Sequence, residues 1–570
     1  MIDKAIEFFE NGKIRHNRGD LPGAKGLYLK AIELNPNYGQ AYNNLGNVFS
    51  DLGNLSEAED VYRKALELIP DHPMILNNLG NCLHACGLNE EAESLLNKAI
   101  KISPNDPVAY SNLGNVFREL GKVNEAVNAF KKAIELNPNI EQVHVNFGNT
   151  LKALKDFNGA IQAFEKAIDI NPGYSEAYAS LSDIYEKLND IKQLENIYET
   201  AKRQLGENDP LLLFVQATVF TRKNKYADAL ESLEAINPEQ FSLAFQKIYS
   251  NILAKTHDKL GNYKKAFDQF QLFNDLVKKT NKDINYNSKK YLNNLKQLAK
   301  NWSTIDYVNW DNIEDNNTKN RQLVFLVGFP RSGTTLLDTV LRSHNEIFVV
   351  EEKLMVQKML TELNGREDYK SLSDLKSADL EWFREIYYEE LHKYIDNSEK
   401  AKIIVDKLPL NITHIGLIKR VFPNSKIILS LRHPYDVVLS CFMQSFKLND
   451  SMSNFLSLNT SAELYSAVMD LWEQYVRSFQ LDYISIKYED LVLDLKSSVL
   501  PILNYLGIQW DDGLLDYQKT AFNRIHIDTP SYNQVTQDLY KTSINRWVNY
   551  REDMEVADEY LLSWVKKFNY

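Results

Sequence analysis

The sequence predicts a multidomain chain: an all-α repeat solenoid over residues 1–280, then an α/β domain with a mostly parallel sheet over residues 321–570. Three observations predict this. A 34-residue repeat runs through the first half, the hydrophobic pattern changes to strands alternating with helices near Gln322, and a Gly-rich loop follows the first apolar strand. A chain of 570 residues is also too long for one ordinary core. Residues 281–320, rich in Lys, Asn and Asp, are predicted to form a connecting helix and linker.

The repeat of the first half returns the same residue types at a 34-residue step. The prolines are Pro36, Pro70, Pro104, Pro138 and Pro172, and the alanines are Ala24, Ala58, Ala92, Ala126 and Ala160. This period with these residues is that of the tetratricopeptide repeat, whose unit is a helix–turn–helix. The register becomes irregular after Ile170, and Leu260 with Ala266 indicates one more unit.

An asparagine also recurs at this step in the first helix of four units: Asn44, Asn78, Asn112 and Asn146. Amide side chains both donate and accept hydrogen bonds, so such a row can pair with the backbone of an extended peptide. The row resembles the asparagine ladder of O-linked N-acetylglucosamine transferases. We therefore predict a protein or peptide partner along it. The alternative is that the amides only bridge adjacent repeats or cap turns.

Composition excludes several classes of protein. The net charge of −12 argues against a nucleic-acid binder that works by bulk charge. Three Cys cannot form a disulfide framework and indicate a reducing compartment. We also expect no membrane span and no signal peptide, because the apolar stretches are short and the N-terminus is acidic. Together these features predict a cytoplasmic protein.

The loop at residues 328–335 follows the apolar strand 323–327 and opens a helix. Such a loop presents backbone N–H groups and a positive dipole end, which favour an anion. Its two glycines keep the spacing of a nucleotide phosphate loop, but Thr334 replaces the Lys and the cation moves to Arg331. We therefore predict a P-loop-like site that binds a phosphate-like group without the Lys of ATP and GTP enzymes.

This loop closely resembles the 5′-phosphosulfate loop of sulfotransferases that use 3′-phosphoadenylyl sulfate. The resemblance implies donor contacts by Arg331, Ser332, Gly333, Thr334 and Thr335. About 100 residues later, Arg432 follows the strand 426–431 and Ser440 lies two helical turns further on. An Arg fork and a hydroxyl can converge on one phosphate. The stretch is similar to the family's 3′-phosphate motif, which implies 3′-phosphoadenylyl sulfate as co-substrate and adenosine 3′,5′-bisphosphate as product.

Two catalytic residues follow from the same resemblance. Glu351 and Glu352 resemble the Glu pair of tyrosylprotein sulfotransferases, which implies that Glu352 is the base that takes the acceptor proton. Lys407, at the end of a strand, resembles the Lys that neutralises charge on the transferring group. The alternatives are a surface carboxylate pair and a structural ion pair of Lys407 with Asp406 or a neighbour.

Later segments match the family over shorter stretches. Tyr488, in a Tyr-Glu-Asp-Leu run after a strand, resembles the Tyr that lies near the adenine. The segments 529–532 and 540–547, with Ser543 in the second, resemble the late loop that closes over the donor in bacterial members.

The sequence therefore predicts a sulfotransferase. In the reaction we expect, an acceptor hydroxyl attacks the sulfur of the donor in line, and no metal is needed. A tyrosine of a protein bound by the repeats is one acceptor class. A glycan, lipid or small phenol, with the repeats as a partner-binding scaffold, is the alternative. Two rivals remain open: a P-loop kinase or NTPase with Asp406 on its magnesium-binding strand, and a scaffold with an inactive enzyme domain.

Overall fold

The computed structural model describes residues 2–281, 284–302, 321–365, 372–395, 401–523 and 543–570. The chain divides into two compact units, Met1–Asn237 and Pro238–Tyr570. Most of the predicted linker, the segment 529–532 and the start of the segment 540–547 lie outside the described residues.

The first unit is a succession of helical hairpins, as the 34-residue repeat predicted. The helices are α1 Ile2–Asn17, α2 Leu21–Leu34, α3 Gly39–Asp51, α4 Leu55–Leu68, α5 Pro73–Ala85, α6 Asn89–Ile102, α7 Pro107–Glu119, α8 Val123–Leu136, α9 Glu141–Ala153, α10 Phe157–Ile170, α11 Ser175–Lys187, α12 Ile191–Gln204, α13 Pro210–Arg222 and α14 Tyr226–Glu234. The repeat solenoid is therefore confirmed as the fold of this unit.

Close packing within each hairpin explains the recurring small residues. A Cβ at Gly114 would lie 2.8 Å from the ring of Phe130, and a Cβ at Gly148 would lie 2.6 Å from Phe164. The alanines of the second helices, such as Ala126 and Ala160, are fully buried. Any larger side chain at these positions would push the two helices of a unit apart.

The second unit begins with three helices that pack with an α/β domain. These are α15 Leu243–Lys259, α16 Tyr263–Lys279 and α17 Ile284–Trp302. The unit predicted around Leu260 and Ala266 is the hairpin of α15 and α16. Ala254, Ala266 and Phe270 of this hairpin share one hydrophobic core with strand residues such as Phe325. The hairpin therefore groups with the α/β domain, although its sequence pattern is that of the repeats.

The α/β domain contains a parallel sheet with strand order β2-β3-β1-β4-β5. The strands are β1 Gln322–Gly328, β2 Ile347–Glu351, β3 Ile403–Lys407, β4 Lys426–Leu431 and β5 Tyr483–Lys487. The helices are α18 Thr334–Leu341, α19 Met355–Asn364, α20 Ser377–Leu391, α21 Ile415–Val421, α22 Pro434–Phe442, α23 Leu458–Phe479, α24 Tyr488–Leu493, α25 Leu495–Leu506, α26 Tyr517–Asn523 and α27 Asp558–Lys567. The mostly parallel sheet is confirmed, and β2 is a strand that the sequence analysis did not assign.

Apolar cores cover both faces of the sheet. Phe325 and Val327 of β1 belong to one core, and Val324 and Leu326 belong to the other. This alternation within one strand is why the strands read as continuous apolar runs. Because the strands are parallel, their carboxyl ends lie along the same edge, where ligands of such sheets bind. In the part of the chain that the structure describes, no helix combines the length and apolarity needed to cross a membrane.

Candidate active site

The loop between β1 and α18 is tightly curved, and glycine is required in it. Gly333 has a left-handed φ of +94°, and a Cβ there would lie 2.6 Å from the side chain of Tyr488. A Cβ at Gly328 would lie 2.6 Å from the carbonyl oxygen of Ser430. Arg331 also has a left-handed φ, of 70°. The backbone can therefore lie against a ligand at the start of α18, whose first residues are Thr334 and Thr335.

The two motifs predicted to bind phosphate groups meet in space. Arg331 donates from Nε to Oγ of Ser440 at 3.0 Å. Arg432 donates to the carbonyl oxygen of Arg331 at 3.2 Å. The two arginines thus lie together at the carboxyl edge of β1 and β4, although about 100 residues separate them in sequence.

Two buried polar groups of this site have no hydrogen-bond partner within the described part of the chain. They are Oγ of Ser332 and Nε of Arg432. Both groups can donate to a phosphate oxygen, and a buried donor left without an acceptor is costly. The residues present therefore fit an anionic ligand.

Tyr488 and Ser543 complete the cluster around Arg432. The Arg432 guanidinium lies over the Tyr488 ring, 4.9 Å from its centroid. The hydroxyls of Tyr488 and Ser543 share a hydrogen bond of 2.8 Å. Arg432 also donates to the carbonyl oxygen of Ser543 at 2.6 Å. The structure therefore brings together the residues that the sequence assigned to the donor, from four separate segments of the chain.

A second cluster lies at the ends of β2 and β3, around a fully buried lysine. Lys407 Nζ is 2.9 Å from a carboxylate oxygen of Glu351, 2.9 Å from one of Glu352, and 3.9 Å from one of Asp338. The Lys407 side chain is 0% exposed. Burial favours its neutral form, but the three carboxylates outweigh burial, and the pKa of Lys407 lies above its usual value. Lys407 is therefore held as an ammonium ion.

Glu352 is the most accessible of the three carboxylates. Its side chain is 32% exposed, against 11% for Glu351 and 0% for Asp338. Glu352 has a left-handed φ of 50°, and its N–H donates to the carbonyl oxygen of Lys407 at 2.7 Å. By its exposure, Glu352 is the carboxylate of this cluster that a substrate can reach most readily.

The neighbouring Asp406 lies on the opposite face of the sheet, since successive strand residues alternate. Tyr387 donates its hydroxyl to an Asp406 oxygen at 2.9 Å, and the Asp406 side chain is fully buried. Burial raises the pKa of Asp406 to about 7. Lys407 thus pairs with the glutamates and Asp338, and its sequence neighbour Asp406 belongs to the core.

Sequence reasoning missed Asp338 and Arg342. Arg342 donates to an Asp338 oxygen at 2.8 Å and to the carbonyl oxygen of Val349 at 2.7 Å. It therefore ties α18 to β2 beside the glutamate pair. The signal that could have found them is their spacing of four residues in the helix that follows the loop.

His344 is another residue that could act as a base, but both of its ring nitrogens form hydrogen bonds with backbone groups. Its Nε2 lies 2.9 Å from the carbonyl oxygen of Gln509, and its Nδ1 accepts from the N–H of Glu346 at 3.1 Å. Among the described residues, no group of three His, Cys, Asp or Glu side chains is arranged to hold a metal ion.

The asparagine row of the first unit makes contacts between repeats. Asn78 donates to the amide oxygens of Asn43 and Asn47, each at 3.1 Å. Asn112 donates to the amide oxygen of Asn77 at 2.9 Å. Asn44, Asn78, Asn112 and Asn146 are all half-buried. The bridging role is therefore present, and peptide binding stays a prediction.

Protein-family models match stretches of both units. Residues 323–512 match the model described as "Sulfotransferase family". Tetratricopeptide repeat models match residues 12–53, 39–72, 71–139, 111–175 and 151–213. A crystal structure of a tetratricopeptide repeat protein from Parabacteroides merdae is 19% identical and covers 45% of this chain and 99% of its own, with a TM-score of 0.37.

Two relatives are similar to this chain over stretches longer than the sulfotransferase family match. An uncharacterized protein of Aquifex aeolicus is 25% identical over 323 residues, which are 55% of this chain and 41% of that protein. A putative protein-tyrosine sulfotransferase of Caenorhabditis briggsae is 24% identical over 241 residues, which are 40% of this chain and 80% of that protein. The chain thus spans less than half the length of the Aquifex relative.

Proposed function

We propose that this chain, which joins tetratricopeptide repeats to a domain of the sulfotransferase family, moves a sulfuryl group from 3′-phosphoadenylyl sulfate to an acceptor hydroxyl. Adenosine 3′,5′-bisphosphate is the other product. The observation that carries the proposal is the meeting of Arg331, Ser440 and Arg432 beside the unpartnered Ser332 hydroxyl. Two adjacent anion-binding groups suit a donor with a phosphate at one end and a phosphosulfate at the other.

The donor supplies the sulfuryl group, and the residues of the chain bind and orient it. In our proposal the loop with Arg331, Ser332, Gly333, Thr334 and Thr335 holds the phosphosulfate. Arg432 and Ser440 hold the 3′-phosphate. The Tyr488 ring, next to Gly333, lies where an adenine can pack.

The lysine and glutamate cluster supports the proton chemistry. In our proposal Glu352 accepts the proton of the acceptor hydroxyl as that oxygen attacks sulfur. Lys407, kept charged by its carboxylate neighbours, stabilises negative charge that develops on the transferring group. The Glu352 carboxylate and the Lys407 ammonium are 2.9 Å apart, so one site can serve both steps.

Replacement of Arg432 by Ala should weaken binding of adenosine 3′,5′-bisphosphate by about 10- to 150-fold. The lost charge-assisted hydrogen bonds are worth about 1.5–3 kcal/mol. Isothermal titration calorimetry measures the effect. Arg477→Ala, which removes an exposed arginine of α23, is the control and should bind as wild type does. Wild-type affinity in Arg432→Ala would show that the 3′-phosphate binds elsewhere.

The kinase or NTPase alternative finds little support in the geometry. That alternative requires Asp406 near the phosphate loop. Asp406 is instead buried against Tyr387, on the face of the sheet opposite to Lys407. The loop also has Thr334 where such enzymes have Lys. Competition between ATP with magnesium and adenosine 3′,5′-bisphosphate decides between the two, and a preference for ATP would overturn the sulfotransferase proposal.

The acceptor in our proposal is a tyrosine of a protein bound by the repeats. Similar proteins carry the name protein-tyrosine sulfotransferase, and repeat arrays of this kind provide extended binding surfaces. Labelled donor incubated with cell extract should mark protein. Label only in glycan, lipid or small-molecule fractions would favour the alternative acceptors. The cytoplasmic location likewise stays a prediction.

The first helices of the repeats offer apolar side chains beside the asparagine row. Met74 and Val108 lie four residues before Asn78 and Asn112, and are 52% and 47% exposed. Residues four apart are neighbours on one helix face. In the next unit Gln142 donates to Asn146 at 3.3 Å across the same spacing. An extended peptide could pair its backbone with the amides and pack apolar side chains on Met74 and Val108.

Replacing Asn78, Asn112 and Asn146 together by Ala should weaken binding of a protein acceptor, while sulfation of a small phenol stays the same. Each lost backbone hydrogen bond is worth about 0.5–1.5 kcal/mol. Because Asn78 and Asn112 also bridge repeats, a second variant, Met74→Ser with Val108→Ser, leaves those bridges intact. KM for the protein acceptor and for the phenol is the measurement.

The matched control for this test is Leu88→Ser with Ile102→Ser, which changes two similarly exposed apolar residues at the ends of α6. It should leave both KM values unchanged. If the KM for the protein acceptor is unchanged in both the triple asparagine variant and Met74→Ser with Val108→Ser, the asparagine row is not its binding site.

A further inference from the structure

The last segment of the donor site is held by two different parts of the second unit. This segment, residues 543–550, is here called the closing segment. It consists of a turn followed by the short helical stretch Arg546–Tyr550. Asn545 in the turn has a left-handed φ of 56°, which is uncommon for a residue with a side chain.

The first set of contacts comes from the donor site itself. The Asp436 carboxylate accepts from the backbone N–H groups of Asn545 and Trp547, at 2.8 and 2.9 Å. The Trp547 ring stacks on the rings of His433 and Tyr435, with centroids 5.1 and 4.7 Å apart. The closing segment is thereby attached to the same stretch that carries Arg432.

The second set of contacts comes from the α15 and α16 hairpin. Asp258, near the end of α15, accepts at one oxygen from Arg546 at 2.8 Å and from the Tyr550 hydroxyl at 2.6 Å. The Asp258 side chain is 12% exposed, and Tyr550 is buried. Tyr263 of α16 packs edge-on against the Tyr550 ring at 5.2 Å.

The electrostatics of this contact favour a fixed geometry. Burial opposes the charge of Arg546, but Asp258 and Tyr550 outweigh burial and raise its pKa. The Arg546 side chain is 31% exposed and the Asp258 side chain 12% exposed, so separating them would leave the Asp258 carboxylate poorly solvated. Arg546 lies between the two residues whose N–H groups bind Asp436. The backbone at 545–547 is therefore held by Asp436, while the side chain in its middle is held by Asp258.

We propose that Asp258 is a positioning residue of the donor site. By fixing Arg546 it sets the turn that places Ser543 against Arg432 and Tyr488, and so prepares both for the nucleotide. The α15 and α16 hairpin, which has the sequence pattern of a repeat, thus helps to position the donor-binding residues of the α/β domain. The inference rests on the proposed function, since it assigns Arg432 and Tyr488 to the donor.

The test measures the affinity of the full chain for adenosine 3′,5′-bisphosphate and the KM for the sulfuryl donor. Asp258→Asn keeps the shape and removes the charge. It should weaken nucleotide binding and raise the donor KM by about 10-fold, as expected for one charge-assisted hydrogen bond. The kcat at saturating donor and the KM for the acceptor should stay at wild-type values, because Asp258 touches neither Glu352 nor Lys407.

Lys264→Ala is the matched control. It removes a salt bridge of 2.8 Å to Asp553, which also joins the hairpin to the C-terminal region but lies outside the closing segment. It should bind nucleotide as wild type does. Tyr550→Phe, which keeps the ion pair and loses one hydrogen bond, should give a smaller loss than Asp258→Asn, and it serves in place of Asp258→Asn if that variant does not fold.

Wild-type nucleotide affinity in Asp258→Asn, or in Tyr550→Phe where the first does not fold, would overturn the inference. So would equal losses of affinity in Asp258→Asn and Lys264→Ala, since they would show only that the hairpin must be attached. If the wild-type chain itself does not bind the nucleotide, the proposed function fails and the inference falls with it. Failure of the inference alone is seen when the wild type binds the nucleotide and Arg432→Ala binds it more weakly, while Asp258→Asn binds it as wild type does.

Discussion

Glu352→Gln should lower turnover by about 10²–10⁴-fold, while affinity for adenosine 3′,5′-bisphosphate persists. The amide keeps the size of the side chain and can still accept a hydrogen bond from Lys407, which lies 2.9 Å from Glu352. It cannot accept the proton of an acceptor hydroxyl at neutral pH. Single-turnover transfer from labelled donor measures the chemical step, and calorimetry measures nucleotide binding.

Glu351→Gln is a closely matched control for this prediction. Glu351 is also 2.9 Å from Lys407, but it is the final residue of β2 and is less exposed than Glu352. We expect its replacement to have a much smaller effect on turnover. An inactive Glu351→Gln beside an active Glu352→Gln would move the base by one residue. If neither change slows transfer, a group outside this pair is the base, and His344 is a poor candidate because both its ring nitrogens bind the backbone.

Local sequence patterns predicted the parts of the site that lie just after strands. Arg331 follows β1 and Arg432 follows β4, and these two strands pair in the sheet. The rule that parallel strands end at one edge is enough to bring the two arginines together. The Arg331 to Ser440 contact could therefore be expected without coordinates.

Contacts that depend on tertiary packing were not predictable in this way. The sequence of α15 and α16 has the Leu-Gly and Ala pattern of the repeats, and this pattern predicts how the two helices of a hairpin pack together. It does not predict which domain the hairpin packs against. The contact of Asp258 with Arg546 spans 288 residues and has no periodic or motif signal. Asp338 has a sequence signal in its spacing of four residues from Arg342, but its approach to Lys407 depends on how α18 packs beside β3.

The asparagine row shows a different limit. Its 34-residue step correctly places the amides at equivalent positions, but it leaves open what they bind. In the structure Asn78 uses its amide to join two repeats. A side chain that bridges repeats can still present its remaining hydrogen-bonding capacity to a peptide, since each amide offers two donors and two acceptor sites. Recurrence therefore predicts position better than it predicts function.

Lys407→Met should abolish transfer and also destabilise the fold, because one buried ammonium neutralises several carboxylates. Its removal takes a neutralising charge away from Glu351 and Asp338, whose side chains are 11% and 0% exposed, although Asp338 keeps its ion pair with Arg342. Breaking a buried ion pair by removing one partner costs about 3–5 kcal/mol. Thermal unfolding should show a clear fall in Tm. Lys402→Met is the control: it removes an exposed salt bridge to Glu346 just before β3, the strand that ends at Lys407. It should change the free energy of unfolding by about 0–1 kcal/mol.

A double variant separates the structural effect of Lys407 from its catalytic effect. Adding Glu351→Gln to Lys407→Met removes one of the carboxylates that Lys407 neutralised and should recover part of the lost stability. Transfer should not recover, because a neutral amide at position 351 does not replace the positive charge that our proposal assigns to Lys407. A double variant that regains both stability and transfer would show that Lys407 serves the fold alone. If stability returns without transfer, the ammonium of Lys407 is required by the chemistry as well as by the packing of the carboxylates around it.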